Sequence, residues 1–163
     1  RRTSKTMNLY SALKLVHILG AAVLFGTGLG IAFFLWMAHR TRDAAAIART
    51  ARIVVVADVV FTATAVILQP LSGAALAEHA SYSLLEPWIL LSLVLYVFVG
   101  ACWLPVVWVQ TQLRDLAAVA AQDKAMLPER YHRLFRIWFW LGWPAFAGVI
   151  AIYALMIWKP ALW

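Results

Sequence analysis

Three residues with ionisable side chains interrupt segments that are otherwise apolar: Lys14, His17 and Asp58. An ionisable side chain inside a bilayer costs at least about 2.5 kcal/mol on insertion scales, so each of the three requires an explanation. A neutral imidazole can ligate a metal or a haem iron, and an ammonium can meet an anionic group. A carboxyl in lipid can form an ion pair or carry a proton. These side chains are therefore the candidates for chemistry within a membrane.

His17 lies about two turns inside the first apolar segment. The 3.6-residue period places it on one helical face with Ala21, Leu24 and Gly28. Because two of these residues are small, a bulky group can approach the backbone there. This face predicts a haem-iron ligand at His17. A hydrogen bond from the imidazole to a neighbouring helix, a different metal and a proton relay are the alternatives.

Lys14, Gly20 and Gly28 complete the predicted cofactor-binding set around His17. Lys14 lies one turn earlier on nearly the same face, where its ammonium can meet a haem propionate or a quinol headgroup, or extend to the membrane surface. Residues 26–30 read Gly-Thr-Gly-Leu-Gly. Such a run of small residues permits either tight helix packing or close contact with a flat macrocycle.

Asp58 lies about six residues into the second apolar segment. Arg136 and His132 stand at the start of the fourth segment, at the same end of the predicted bundle, so either of them can pair with it. The alternative to a structural ion pair is a proton-handling carboxylate. Gln110 and Trp138 are near segment ends, where polar and aromatic residues are expected at the membrane interface.

The amino-acid composition indicates which secondary-structure elements position these residues. The chain has 163 residues, of which 64% are hydrophobic and 13% are charged, whereas soluble domains carry about 25% charged residues. This excludes a free soluble enzyme, a disulfide scaffold and a disordered chain. We expect a single integral membrane domain over residues 1–163, an all-α four-transmembrane-helix bundle, because open strands cannot cross a bilayer. The predicted spans are residues 9–37, 53–71, 87–109 and 137–158.

The charges between the spans predict the topology. Residues 39–52 contain four Arg against one acid, and residues 110–136 contain five basic side chains against three acidic ones. Residues 72–86 contain no Lys or Arg. The positive-inside rule then places both basic connections in the cytoplasm and both termini in the periplasm of a bacterial inner membrane. The net charge of +7 is explained by this distribution. The sequence contains no extended basic face of the kind that binds nucleic acid, so no nucleic-acid partner is expected.

Three segments resemble one bacterial family, the domain of unknown function 2269. They are residues 13–19 (LKLVHIL), 24–30 (LFGTGLG) and 100–108 (GACWLPVVW). The resemblance extends over residues 7–163. It implies an integral membrane protein and adds little about chemistry.

A more distant resemblance concerns the HemJ-type membrane protoporphyrinogen oxidases. The motif Leu13-Lys14-x-x-His17, with His39 closing the first span, is similar to the start of those proteins, and residues 131–136 (YHRLFR) are similar to a segment near their end. The resemblance implies a small four-helix bundle that binds haem b, with His17 as an axial ligand. No role is carried over to His39.

The chain departs from the HemJ-type pattern at the third span. That family opens this span with a histidine and a lysine associated with activity, whereas residues 86–93 (EPWILLSL) contain neither. The resemblance therefore does not extend to oxidation of protoporphyrinogen.

The sequence predicts a membrane protein with haem b at His17, serving electron transfer or a porphyrin- or quinone-linked oxidation. If the protein is an enzyme, it is a haem-dependent membrane oxidoreductase, and no catalytic residue is assigned. One alternative is a non-catalytic membrane subunit that docks a partner complex through the glycine face. Another is a small transporter or copper-handling protein that uses Asp58. Expected partners are the lipid bilayer and other membrane or redox subunits or a second copy.

Overall fold

Five α-helices and one π-helical turn form the described part of the chain. The computed structural model describes residues 2–162, and side chains from residue 9 onward. The helices are α1 (Arg2–Thr41), α2 (Ala44–Ala57), α3 (Ala63–His79), α4 (Pro87–Gln122) and α5 (Glu129–Trp158). The π-helical turn, Asp58–Thr62, joins α2 to α3 without a break. No strand occurs within residues 2–162.

Four helical segments are long and apolar enough to cross a membrane. They are Leu9–Thr41 in α1, Ala44–His79 (α2, the π-helical turn and α3 together), Pro87–Gln122 (α4) and Glu129–Trp158 (α5). The predicted all-α fold with four spans is therefore confirmed.

The predicted connections are longer than the observed ones. Only residues 42–43, 80–86 and 123–128 lie between helices. α4 is 36 residues long, hence about 54 Å, whereas the hydrocarbon core is about 30 Å thick. Hydropathy marks where lipid contact ends, but Ala, Gln, Arg and Leu remain good helix formers beyond that point. The helices therefore continue through polar sequence.

Local signals fix the observed helix ends. Asp43 caps α2, since its side chain accepts a hydrogen bond from the backbone nitrogen of Ala45 at 2.9 Å. Pro87 occupies the first turn of α4, where no backbone donor is needed. α5 ends at Trp158, because the next residue, Lys159, has a left-handed backbone (φ 45°) that stops the helix.

Nine of the fourteen Lys and Arg residues gather at one end of the bundle, which we call the basic end. It contains the turns 42–43 and 123–128. Its basic side chains are Arg40, Arg42, Arg49, Arg52, Arg114, Lys124, Arg130, Arg133 and Arg136. The opposite end contains the turn 80–86, the start of α1 and the end of α5.

The helices pack most closely toward the basic end. α1 packs against α2 and α3, α4 packs along α5, and α2 packs against α4. The main core contains Ile31, Leu35 and Ala38 of α1, Ile47, Ala51 and Val54 of α2, Val109, Leu113 and Ala117 of α4, and Tyr131, Leu134, Phe135 and Trp138 of α5. A smaller cluster of Ala77, Trp88 and Ile89, with Met156 against it, joins α3, α4 and α5 at the opposite end.

Between these clusters, single side chains link the helices. The Tyr96 hydroxyl of α4 donates to the backbone oxygen of Val66 on α3. The Tyr153 hydroxyl of α5 donates to the backbone oxygen of Ala21 on α1. Much of the remaining apolar surface is exposed, as expected for helices that face lipid.

Candidate functional site

His17 is held by a hydrogen-bond chain between α1 and α3. Its Nδ1 atom lies 2.8 Å from Ser72 Oγ, and that hydroxyl donates to the backbone oxygen of Leu68 at 2.6 Å. Because a hydroxyl has one hydrogen, the serine oxygen must accept from His17 Nδ1–H. For a neutral ring, this network assigns the tautomer in which the Nε2 atom carries the free lone pair.

The contact between α1 and α3 around His17 depends on two glycines. Gln69 donates its amide nitrogen to the backbone oxygen of His17 at 2.9 Å, and a Cβ atom at Gly20 would clash with that nitrogen. A Cβ atom at Gly73 would lie 3.3 Å from His17 Cε1. Gly20 therefore lies where α1 meets α3, and Gln69 fills the space beside it.

The remaining residues of the predicted cofactor set are partly separated from His17. A Cβ atom at Gly28 would meet Phe146 of α5 at 3.6 Å, so this part of the face is already in contact with another helix. Among residues 9–162, no atom beyond their own stretch of α1 lies within 4 Å of the Cβ positions of Gly26 and Gly30. Lys14 is exposed, one turn before His17. The glycine run is thus an open surface over part of its length rather than a closely packed seam.

Asp58 lies in a second polar cluster and is only 3% exposed. Trp103 donates its indole Nε1–H to Asp58 Oδ1 at 3.2 Å. The side-chain amide of Gln110, oriented to satisfy its neighbours, donates to Asp58 Oδ2 at 2.8 Å and accepts from Trp138 Nε1 at 3.2 Å. Together Asp58, Trp103, Gln110 and Trp138 link the π-helical turn to α4 and α5. We call them the Asp58 network.

The expected pairing of Asp58 with Arg136 or His132 is not formed. Arg136 lies 3.8 Å from Glu129 in an exposed pair, and His132 is exposed beside the ring of His39. Trp138 points into the core instead. Arg136 and Trp138 are two residues apart on α5, so their side chains point about 200° apart around the helix axis. Arg136 therefore faces away from the core that Trp138 enters.

Thr62 ends the π-helical turn on the same buried side as Asp58. It is 5% exposed, and its hydroxyl oxygen lies beside the Asp58 carboxyl but makes no hydrogen bond of standard geometry among the described residues. Single π-helical turns inside α-helices are often found at functional sites. Buried hydroxyl groups usually have a hydrogen-bond partner, so the Thr62 oxygen is available to accept a hydrogen bond.

His39 belongs to an aromatic cluster at the basic end. Its ring stacks on Phe135 with the ring centres 3.6 Å apart, and its Nδ1 atom lies 3.2 Å from the hydroxyl of Tyr131, which is fully buried. His39 and His17 are 22 residues apart on one helix, hence about 33 Å. The structure therefore does not bring these two histidines together.

The comparison with protein families decides what kind of protein this is. The family described as "Predicted integral membrane protein (DUF2269)" matches residues 11–160. The chain belongs to this family. No curated protein and no solved structure matches it. Membership establishes an integral membrane protein and leaves the chemistry of this DUF2269 protein to its own residues.

Those residues offer two polar clusters, one at His17 and one at Asp58. Within the described part of the chain, no group of three or more His, Cys, Asp or Glu side chains is arranged to hold a metal ion.

The sequence did not reveal Gln110 and Trp138 as members of the Asp58 network. Both were expected at the membrane interface, yet Gln110 is 1% exposed and Trp138 is 5% exposed. One signal was available for α4: Trp103 and Gln110 are seven residues apart, which places them on one helical face. Two hydrogen-bonding side chains on one face of a predicted span suggest a polar partner on another helix.

Proposed function

We propose that this DUF2269 protein binds haem b within the membrane, with His17 Nε2 as an axial ligand to the iron. The observation that carries the proposal is the chain from His17 through Ser72 to the backbone oxygen of Leu68. Histidines that ligate metals almost always donate their other ring N–H, which fixes the tautomer and the ring orientation. His17 has this arrangement and lies in a predominantly apolar part of α1.

The residues around His17 satisfy some of the requirements of a haem b site. The imidazole supplies one neutral nitrogen ligand, and Lys14, exposed one turn earlier, can meet a propionate at the membrane boundary. Gly20 and Gly28 do not offer an open surface, since Gln69 and Phe146 already lie beside them. In this proposal His17 is the axial ligand and Lys14 is the partner of a propionate. Gly20 and Gly28 allow the neighbouring helices to approach α1 closely.

The bound haem would supply one-electron chemistry, for electron transfer or for a porphyrin- or quinone-linked oxidation. The residues of this chain hold the cofactor in lipid and orient the imidazole ring. We place the basic end in the cytoplasm of a bacterial inner membrane, with both termini in the periplasm. His17 then lies toward the periplasmic side, since α1 runs from that side to the basic end.

Absorption spectroscopy tests this proposal. The protein is purified in mild detergent with added haem, and oxidised and dithionite-reduced spectra are recorded. We expect a Soret band that His17→Ala abolishes and His39→Ala retains, because His39 lies about 33 Å away along α1. Ser72→Ala should weaken haem affinity about 10–100-fold, as loss of an outer-shell partner typically does.

A colourless preparation after haem supplementation would overturn the proposal. It would favour a non-catalytic membrane subunit that docks a partner complex. A Soret band that survives His17→Ala would likewise remove His17 as the ligand.

A further inference from the structure

Asp58 is a buried carboxyl with neutral partners. Its two oxygens accept hydrogen bonds from the indole of Trp103 and the amide of Gln110. The ion pairs found among residues 9–162 are Arg114–Asp115 and Arg136–Glu129, and neither involves Asp58. Burying an ionised carboxylate without a counter-charge is costly, and such a group usually becomes neutral instead.

The surroundings of Asp58 add no compensating charge. The π-helical turn packs against α1, α2 and α3, and none of them brings a described charged or titratable side chain within hydrogen-bond or ion-pair distance of the carboxyl. α4 contributes Trp103 and Gln110, and α5 contributes Trp138 through Gln110. The environment therefore favours the uncharged acid.

A neutral carboxylic acid has one hydrogen to donate and needs an acceptor for it. Trp103 and Gln110 direct N–H groups at the carboxyl, so they cannot accept that hydrogen. Thr62, one turn along the same buried side of the π-helical turn, lies beside the carboxyl, and its hydroxyl oxygen makes no hydrogen bond of standard geometry in the described structure. The hydrogen of a neutral Asp58 thus needs an acceptor, and the Thr62 hydroxyl oxygen on the same buried side can be that acceptor.

We propose that Asp58 and Thr62 form a proton-binding site within the membrane. The Asp58 carboxylate takes one proton from a hydronium ion of the aqueous phase, which becomes water, and the resulting neutral acid donates that hydrogen to Thr62 Oγ1. Trp103 and Gln110 keep both carboxyl oxygens hydrogen-bonded in either state. This site is separate from His17 and does not depend on haem binding.

A sodium ion suits this site less well than a proton. Hard cations require several oxygen ligands. Here two N–H groups already point at the carboxyl, and Gln110 turns its oxygen toward Trp138. Only the Asp58 carboxyl and the Thr62 hydroxyl remain as oxygen ligands from side chains of the network.

Infrared spectroscopy of the full chain in liposomes at neutral pH tests the proposal. We expect the carbonyl stretch of a protonated carboxylic acid, its loss in Asp58→Asn, and a shift when H₂O is replaced by D₂O. Thr62→Val should move the band to higher frequency because the hydrogen bond is lost, whereas Thr62→Ser should leave it in place. Glu86→Gln, at a half-buried carboxyl outside the Asp58 network, is the matched control and should keep the band.

Three results would overturn the proposal. One is the absence of a protonated-acid band from a folded wild-type protein, which would mean that Asp58 is ionised. Another is a band that appears only after Na⁺ is removed, which would indicate a cation site. The third is a band that Thr62→Val leaves unchanged, which would remove Thr62 from the site.

Discussion

Gln69 of α3 donates its side-chain amide to the backbone oxygen of His17 on α1, with 2.9 Å between the two atoms. The bond crosses from one helix to the next and uses a backbone oxygen, so it fixes the position of the helix rather than the imidazole alone. The Ser72 hydroxyl then sets the orientation of the His17 ring. Position and orientation of this histidine thus come from two neighbouring turns of α3.

Gly20→Ala should destabilise the protein relative to Gly26→Ala. The new methyl group at Gly20 would clash with the Gln69 amide and displace it from the His17 oxygen, at a cost of about 1 kcal/mol. At Gly26 the methyl group enters open space. Both variants gain the same helix propensity, so the difference in thermal unfolding in detergent isolates the clash. Equal unfolding temperatures would show that Gln69 rearranges freely.

Gly148→Ala should destabilise the packing of α4 on α5. A Cβ atom at Gly148 would lie 2.6 Å from Cγ2 of Val99, and a valine side chain has little rotational freedom with which to move away. Overpacking of this kind typically costs about 1–3 kcal/mol. Gly142→Ala, on the same helix with nothing within 4 Å, is the control. Thermal unfolding of both variants gives the comparison, and a loss in Gly142→Ala as large as in Gly148→Ala would argue against it.

Gln110→Leu should lower the free energy of unfolding because it leaves Asp58 Oδ2 and Trp138 Nε1 without partners. Each unsatisfied buried group costs about 1–3 kcal/mol. Trp138→Phe removes one of these groups, so the double variant should lose less stability than the sum of the single variants. A coupling of about 0.5–3 kcal/mol is expected from a double-mutant cycle. Strict additivity would mean that Gln110 and Trp138 do not interact.

Single cysteines in the turns should report the orientation of the chain. In a Cys102→Ala background, Ser81→Cys lies in the turn 80–86 and Lys124→Cys lies in the turn 123–128. A membrane-impermeant maleimide should label Ser81→Cys in intact bacterial cells and Lys124→Cys only after permeabilisation, since the basic turns are expected inside. The reverse pattern would invert the proposed topology.

The sequence predicts the number of spans because long apolar segments have few alternatives in lipid. It fails at the helix ends because hydropathy measures solvent preference, whereas residues such as those of 115–122 continue a helix in water. Gln110 illustrates the same limit. A glutamine near the end of an apolar segment is compatible with the interface, and only the packing of α4 against α5 and the π-helical turn buries it.

The two candidate sites differ in how far the sequence predicts them. His17 and Asp58 are evident because an ionisable residue in lipid is costly wherever it occurs. Their partners are not evident, because Ser72 and Gln69 are ordinary polar residues until α3 lies against α1. The choice between Arg136 and Trp138 near Asp58 depends on the rotational phase of α5. A shift of two residues reverses which side chain enters the core.

The main core lies at the basic end of the bundle. We therefore expect the helices to be held more rigidly at that end than at the opposite end. At the basic end all four spans share one packed core, whereas toward the opposite end they are linked by one small cluster, by the close approach of Gly148 to Val99 and by single hydrogen bonds of His17, Gln69, Tyr96 and Tyr153. A change in bilayer thickness is accommodated by tilting of helices, and tilting costs least where few contacts break. In a thinner or thicker membrane, the helix ends nearest His17 should therefore spread or converge, while the neighbourhood of Tyr131 keeps its shape.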